Sequence, residues 1–309
     1  MFSYRHAFHA GNHADVLKHT VLIALVRYLT QKDAALTVVD THAGAGLYRL
    51  DGDYARTSAE AADGLLRLLS TGRPESELLR DYAEQVLTFN ASADISTGQL
   101  GSLRVYPGSP FLVQRLLRPH DRLRLFELHP TDARALRGNV QQLNAGRQIS
   151  LATEDGFESL RKLLPPPSRR ALVLCDPSYE LKSDYSRVPV LIEEALQRFP
   201  TGTYAVWYPV IPRREAHELP RRLKTLAQRA GRPWLHAALA TGGGRTEVAE
   251  RVSTQLAGLR AARPGLTASG MFIINPPYTL AEALRPALAE LKSRLGQGPS
   301  ASTTLESAG

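Results

Sequence analysis

The tetrapeptide Asp176-Pro-Ser-Tyr179 carries the clearest chemical signal in the chain. It follows Ala171-Leu-Val-Leu-Cys175, a short apolar run of the kind that forms a buried strand. Amine methyltransferases place Asp, Asn or Ser, then two prolines and an aromatic residue, at such a strand end. The exocyclic amine of adenine is a poor nucleophile, because its lone pair is delocalised into the ring. A carboxylate and a neighbouring carbonyl that accept both N–H groups turn that lone pair toward a methyl donor and tolerate the charge that develops. On this reading Asp176 is the catalytic acceptor and the Pro177 carbonyl the second acceptor. Tyr179 is then a stacking platform for an extruded base. Ser178 stands where a second proline is usual, which removes some stiffness from the loop. The alternative is a plain Asp-Pro turn.

Three more acids end or follow strand-like runs. Asp40 closes Leu36-Thr-Val-Val, Glu127 closes Leu123-Arg-Leu-Phe, and Asp155 follows Ile149 to Ala152. S-adenosylmethionine offers a ribose diol, an adenine amine and a sulfonium cation. Glu127 suits the diol, and Asp155 with Gly156 suits the adenine. The turn His42-Ala-Gly-Ala-Gly46 suits close backbone approach to the methionine end, since glycine has no Cβ. A dinucleotide site needs a third glycine and an immediate helix, and both are missing here. Taken singly, each acid reads equally well as a solvated loop carboxylate; the convergence of four favours a cofactor. A second tetrapeptide, Asn275-Pro-Pro-Tyr278, matches the amine motif more literally. It follows the last strand-like run, so a strand-terminating turn is expected there. Four of the nine histidines lie between His6 and His19, but no cysteine or paired acids complete a metal site, and no metal is expected. The single cysteine, Cys175, excludes an internal disulfide.

These residues need a frame that holds strand ends together. Asn12 and Asp15 announce a helix over 13–29. Strands are expected at 36–40, 123–127, 149–152, 171–175, 204–208, 235–240 and 271–275, with helices at 131–144 and 214–228. Ser109 before Pro110 reads as a helix N-cap. The alternation predicts an α/β fold, a Rossmann-like and mostly parallel seven-stranded sheet with ligands beyond the strands' carboxyl ends. Residues 1–48 and 101–295 form the main domain. Residues 49–100 form a small helical insertion, with a capping box at Thr57 and Glu60 and apolar spacing from Leu78 to Phe89. Residues 241–264 read as a polar excursion and 296–309 as a disordered tail. With 309 residues, 43% hydrophobic, the chain can build a substantial core. Its net charge of +8 leans toward a polyanionic partner, and the pairs Arg169-Arg170, Arg213-Arg214 and Arg221-Arg222 are candidates for that surface. No apolar run approaches the ~20 residues that span a bilayer. No signal-peptide core is apparent, so a cytoplasmic protein without membrane contact is expected.

At this level of detail the chain resembles the RlmJ family, bacterial enzymes that methylate N6 of an adenine in 23S ribosomal RNA. The resemblance rests on SYRHAFHAGNHADVLKHT, DTHAGAG, YPGSP, FELHP, DGF, the DPSY position, TGTYAVWYPV and TASGMFIINPPY, and spans residues 1 to about 290. It implies S-adenosyl-L-methionine as cofactor, held by Lys18, His19, His42, Ser109, Glu127, Asp155, Gly156 and Asp176. It implies a catalytic role for Asp176 and a substrate contact from Tyr4, in a monomer acting on free ribosomal RNA. Two alternatives stay open: an adenine-N6 methyltransferase of DNA, and an RNA-binding protein weakened in catalysis by Ser178.

Overall fold

The computed structural model describes residues 9–50, 61–90, 103–242 and 266–309. Its main feature is a sheet in the order β10-β8-β9-β7-β6-β1-β4-β5. The strands are β1 (Thr37–Asp40), β4 (Arg122–Phe126), β5 (Ile149–Ala152), β6 (Ala171–Cys175), β7 (Thr203–Pro209), β8 (Trp234–Ala240), β9 (Ala268–Ile274) and β10 (Ser302–Ala308). A separate ribbon pairs β2 (Leu47–Arg49) with β3 (Val105–Pro107). The run from β5 to β7 is parallel, whereas β9 is antiparallel to both β7 and β8. Every residue of β1, β6 and β7 is buried. That is what strands covered on both faces require, and why their sequences read as continuous rather than alternating apolar runs.

The helices are α1 (His13–Leu29), α2 (Glu77–Leu87), α3 (Ser109–Leu116), α4 (Pro130–Gln141), α5 (Gly156–Ser159), α6 (Asp184–Arg198), α7 (Arg214–Arg229) and α8 (Leu280–Leu295), with a further helical turn at Arg67–Ser70. Residues 13–26 of α1 are all buried, so this helix is enclosed by α2, α3, α8 and β9 rather than lying on a surface. Its start is fixed by Asn12, whose side chain accepts from the N–H groups of Ala14 and Asp15. The helical segment 61–90 shares one hydrophobic cluster with the sheet through Leu65, Leu79, Tyr82 and Val86.

Several expectations need correction. The sheet has eight strands rather than seven. The eighth, β10, falls in the segment read as a disordered tail. It pairs with β8 along its whole length, since edge pairing uses backbone groups and needs few apolar side chains. Gly108, not Ser109, caps α3, because the Ser109 hydroxyl is committed to Asp40. Nothing in the spacing assigned α6 or α8. Each carries an internal proline, Pro189 and Pro286, but so does the assigned α7 at Pro220. Arg170 is no open RNA contact, since its guanidinium donates to the carbonyls of Leu29 and Ala34. The capping box at Thr57 and Glu60, and nearly all of the 241–264 excursion, lie outside the described residues.

Candidate active site

Register brings the acids together. Asp40 sits level with Leu125 of β4 and Leu174 of β6, so Glu127 and Asp176 follow within two residues on the neighbouring strands. A cavity of about 350 Å³ opens at these carboxyl ends, within the usual range for small-ligand sites. Lys18, His19, His42, Ser109, Glu127, Asp155, Gly156, Asp176 and Pro177 all line it, with Ser178 at the rim. The structure therefore gathers residues spread over 160 positions of sequence. Tyr4 lies outside the described residues.

Tyr179 is the one expected site residue that the structure places elsewhere. It is 3% exposed and absent from the cavity wall. Its backbone takes a left-handed conformation at φ 53°, which turns the ring back into the core. There it packs on Tyr185 and Trp207 and donates to the Trp207 carbonyl at 2.7 Å. In this conformation Tyr179 anchors the loop and offers no face to a base. The rim instead presents Leu181, 62% exposed.

Lys18 is the hub of the buried charge. Its ammonium lies 2.5 Å from Asp176 Oδ2 and 2.9 Å from Asp15 Oδ1. Asp15 also accepts from the Gly11 N–H at 2.9 Å. Burial disfavours the ammonium, but the two carboxylates outweigh it and hold Lys18 well above the usual lysine range. Asp40 lies beneath the cavity, accepting from the Ser109 hydroxyl at 2.6 Å and the His42 N–H at 3.2 Å. Burial pushes its carboxyl up to about 6 despite the Ser109 hydrogen bond. His42 packs edge-on against Phe157, and burial pulls its imidazole down to about 4.

Glu127 accepts from the N–H of Gly44 at 2.8 Å on one oxygen and from the N–H of His129 at 2.7 Å on the other. Burial pushes its carboxyl up while these two donors pull it down. Each oxygen keeps a second lone pair, so both hydroxyls of a ribose diol can be accepted in the orientation the two backbone donors fix. Asp155 caps α5 through the Phe157 N–H and pairs with Arg187 at 2.7 Å. Arg187 also lies 4.2 Å over the Phe157 ring. Gly156 serves packing as well as the cavity, since a Cβ there would meet the Thr41 carbonyl at 2.0 Å. Phe157 was within reach of sequence reasoning as part of DGF. Arg187 was not, because it belongs to the unassigned α6.

The residues present fit S-adenosylmethionine: Glu127 offers two acceptors for a ribose diol, Phe157 and Leu128 give an aromatic and apolar wall, and the Asp176 carboxylate lies on the same wall. The second tetrapeptide lies at the opposite end of the sheet, because β9 runs antiparallel and its Ile274 pairs with Tyr204 at the start of β7. The Asn275 amide is used structurally, donating to the carbonyls of Pro200 and Gly202 at 2.9 and 2.6 Å.

A mostly parallel sheet with antiparallel β9, acid-tipped strands and a cavity beyond their carboxyl ends defines the Rossmann-like class of S-adenosylmethionine-dependent methyltransferases. Residues 33–306 match the family model described as "Ribosomal RNA large subunit methyltransferase D, RlmJ", and the chain belongs to that family. It is 41% identical to ribosomal RNA large subunit methyltransferase J of Escherichia coli K12, covering 96% of this chain and 94% of that protein. The Haemophilus influenzae protein of the same name is 38% identical, with 99% and 98% covered. Among solved structures, protein LPL1258 of Legionella pneumophila superposes with a TM-score of 0.79 at 32% identity, covering 97% of this chain and 98% of that one.

Proposed function

We propose that this chain transfers a methyl group from S-adenosyl-L-methionine to the N6 amine of an adenine in 23S ribosomal RNA. The observation that carries the reading is the Asp176 carboxylate, held by buried Lys18 on the wall of the cavity that Glu127 also lines. The family match and the names of the relatives support a large-subunit ribosomal RNA as substrate.

The bound cofactor supplies an electrophilic methyl on a sulfonium. Glu127 would hold its ribose end, and Phe157 and Leu128 would flank its adenine end. Asp176 and the Pro177 carbonyl, both on the cavity wall, would accept the two N–H groups of the target amine and so turn its lone pair toward the methyl donor. Transfer of the methyl group to the amine would make one N–H proton acidic, and the Asp176 carboxylate would be placed to receive it. Lys18 holds Asp176 in one orientation through a charge-assisted bond. Tyr4 contacts the RNA, and the enzyme works as a cytoplasmic monomer on RNA not yet fully assembled into subunits. The net charge of +8 favours phosphate contact without distinguishing RNA from DNA.

The test is incubation with unmodified 23S ribosomal RNA and labelled cofactor, followed by nuclease digestion and mass spectrometry. N6-methyladenosine at one site is expected, and duplex DNA should not compete. Methylation of the DNA in preference to the RNA would overturn the substrate assignment. RNA binding without turnover, unrelieved by Ser178→Pro, would overturn the enzymatic one.

A further inference from the structure

A chain of buried hydroxyls leads from the helical segment into the cofactor end of the cavity. His19, on the cavity wall, has its Nδ1 at 2.7 Å from the Tyr106 hydroxyl. That hydroxyl is in turn 3.2 Å from the hydroxyl of Tyr82. The three groups come from α1, β3 and α2, and all are fully enclosed. The rings of His19 and Tyr106 also stack, at 5.6 Å between centroids and 29° between planes. None of the three hydroxyl or ring contacts is needed for the backbone ladders, and phenylalanine at either tyrosine would fill the same apolar volume. A polar chain retained in such a place therefore calls for a reason beyond packing.

We propose that Tyr106 and Tyr82 are positioning residues for the cofactor, acting by fixing the tautomer and orientation of His19. The inference rests on the cofactor reading of His19 given above. The proton arrangement follows from acidity. A phenol is a stronger hydrogen-bond donor than a neutral imidazole N–H, so Tyr82 donates to Tyr106, and Tyr106 donates to His19 Nδ1. The imidazole proton is then held on Nε2. A histidine whose one nitrogen is engaged in this way presents a defined donor on the other. Such a donor suits the carboxylate at the methionine end of the cofactor. Burial holds both phenols well above the usual tyrosine range, so neither loses its proton at neutral pH and the chain keeps its polarity. Because Tyr82 belongs to α2, the same chain makes cofactor affinity depend on correct docking of the helical segment.

The experiment compares Tyr106→Phe, Tyr82→Phe and His19→Ala with the wild type. It uses cofactor titration calorimetry, steady-state kinetics on ribosomal RNA, and NMR of the protein labelled with 15N-histidine. Tyr106→Phe is expected to raise the Kd and KM for S-adenosylmethionine about tenfold while kcat at saturating cofactor stays within about threefold. In the 15N spectrum the His19 ring should change from the Nε2–H form to a mixture of tautomers. Tyr82→Phe should act in the same direction but by about twofold to threefold, being one bond further away. Unchanged affinity and an unchanged His19 tautomer in Tyr106→Phe would overturn the proposal, as would a kcat loss with no change in KM. Should His19→Ala bind cofactor as tightly as wild type, the cofactor role of His19 fails. The tautomer measurement still shows, independently, whether Tyr106 sets the ring's proton.

Discussion

The two tetrapeptides of this chain make an instructive pair. Asp176-Pro-Ser-Tyr179 and Asn275-Pro-Pro-Tyr278 both end an apolar strand, and each contains a residue in the left-handed backbone region, Tyr179 at φ 53° and Asn275 at φ 54°. Their chemistry is opposite. The first presents its acid to a cavity and buries its aromatic ring; the second buries its amide against two carbonyls and leaves Tyr278 85% exposed beside Tyr28. Strand direction accounts for the difference. β6 runs parallel to its neighbours and ends where three other acids end, whereas β9 runs the other way and ends where no cavity acid lies. In open α/β sheets ligands bind beyond the carboxyl ends of the parallel strands, and only the first tetrapeptide lies there.

The comparison can be broken most directly by truncating each motif's first residue. Asp176→Ala should lower kcat by at least about 10³ with a much smaller change in melting temperature, because Lys18 retains Asp15 as a partner. Asn275→Ala should leave kcat within about twofold yet lose about 2–3 kcal/mol of stability in urea melts, having left two carbonyls unserved and alanine in a left-handed conformation. A turnover defect in the Asn275 variant at full folding would place the second motif in the reaction after all.

A smaller effect sharpens the account of the cavity floor. Glu127→Gln keeps the side chain's size but turns one acceptor into a donor facing a backbone N–H. Cofactor affinity measured by calorimetry should fall roughly 10- to 50-fold while RNA affinity by filter binding holds. Equal loss of both would mean that Glu127 shapes the fold rather than the cofactor site.

The smallest effects come from two neighbours with opposite proton linkage. The unfolded chain protonates His42 near pH ~6.5, but the folded chain resists until about 4, so stability is lost as pH falls across that interval. Asp40 is protonated to about 6 in the fold but only to about 3.9 when unfolded, so stability is lost as pH rises between those values. In the wild type these partly cancel between about pH 4 and 6. Asp40→Asn should therefore steepen the loss on acidification, and His42→Gln should flatten it, each by about 2 kcal/mol across the window. Parallel stability–pH curves for the two variants would contradict the opposed linkage.

Much of the site was legible from the chain because its parts are local. An acid after an apolar run, glycines in a turn and a strand-end tetrapeptide need no knowledge of distant packing. The packing of the Tyr179 ring on Tyr185 and Trp207 was not legible, because it depends on a left-handed backbone and on distant neighbours that composition does not record. Arg187 was missed because it belongs to α6, which the local spacing did not assign. β10 was missed because an edge strand is held by backbone hydrogen bonds, to which the apolar content of Ser302–Ala308 gives no clue.

By itself the sequence determined seven of the main sheet's eight strands, its mostly parallel character, and the acids that end or follow four of those strands. Those are consequences of apolar periodicity and side-chain chemistry, which act within a few residues. Tertiary structure alone decided that Lys18 meets Asp176 across 158 positions, that one of two similar tetrapeptides faces a cavity, and that two tyrosines reach His19 from separate elements. Such contacts depend on strand order and direction, which are settled only when the whole core closes.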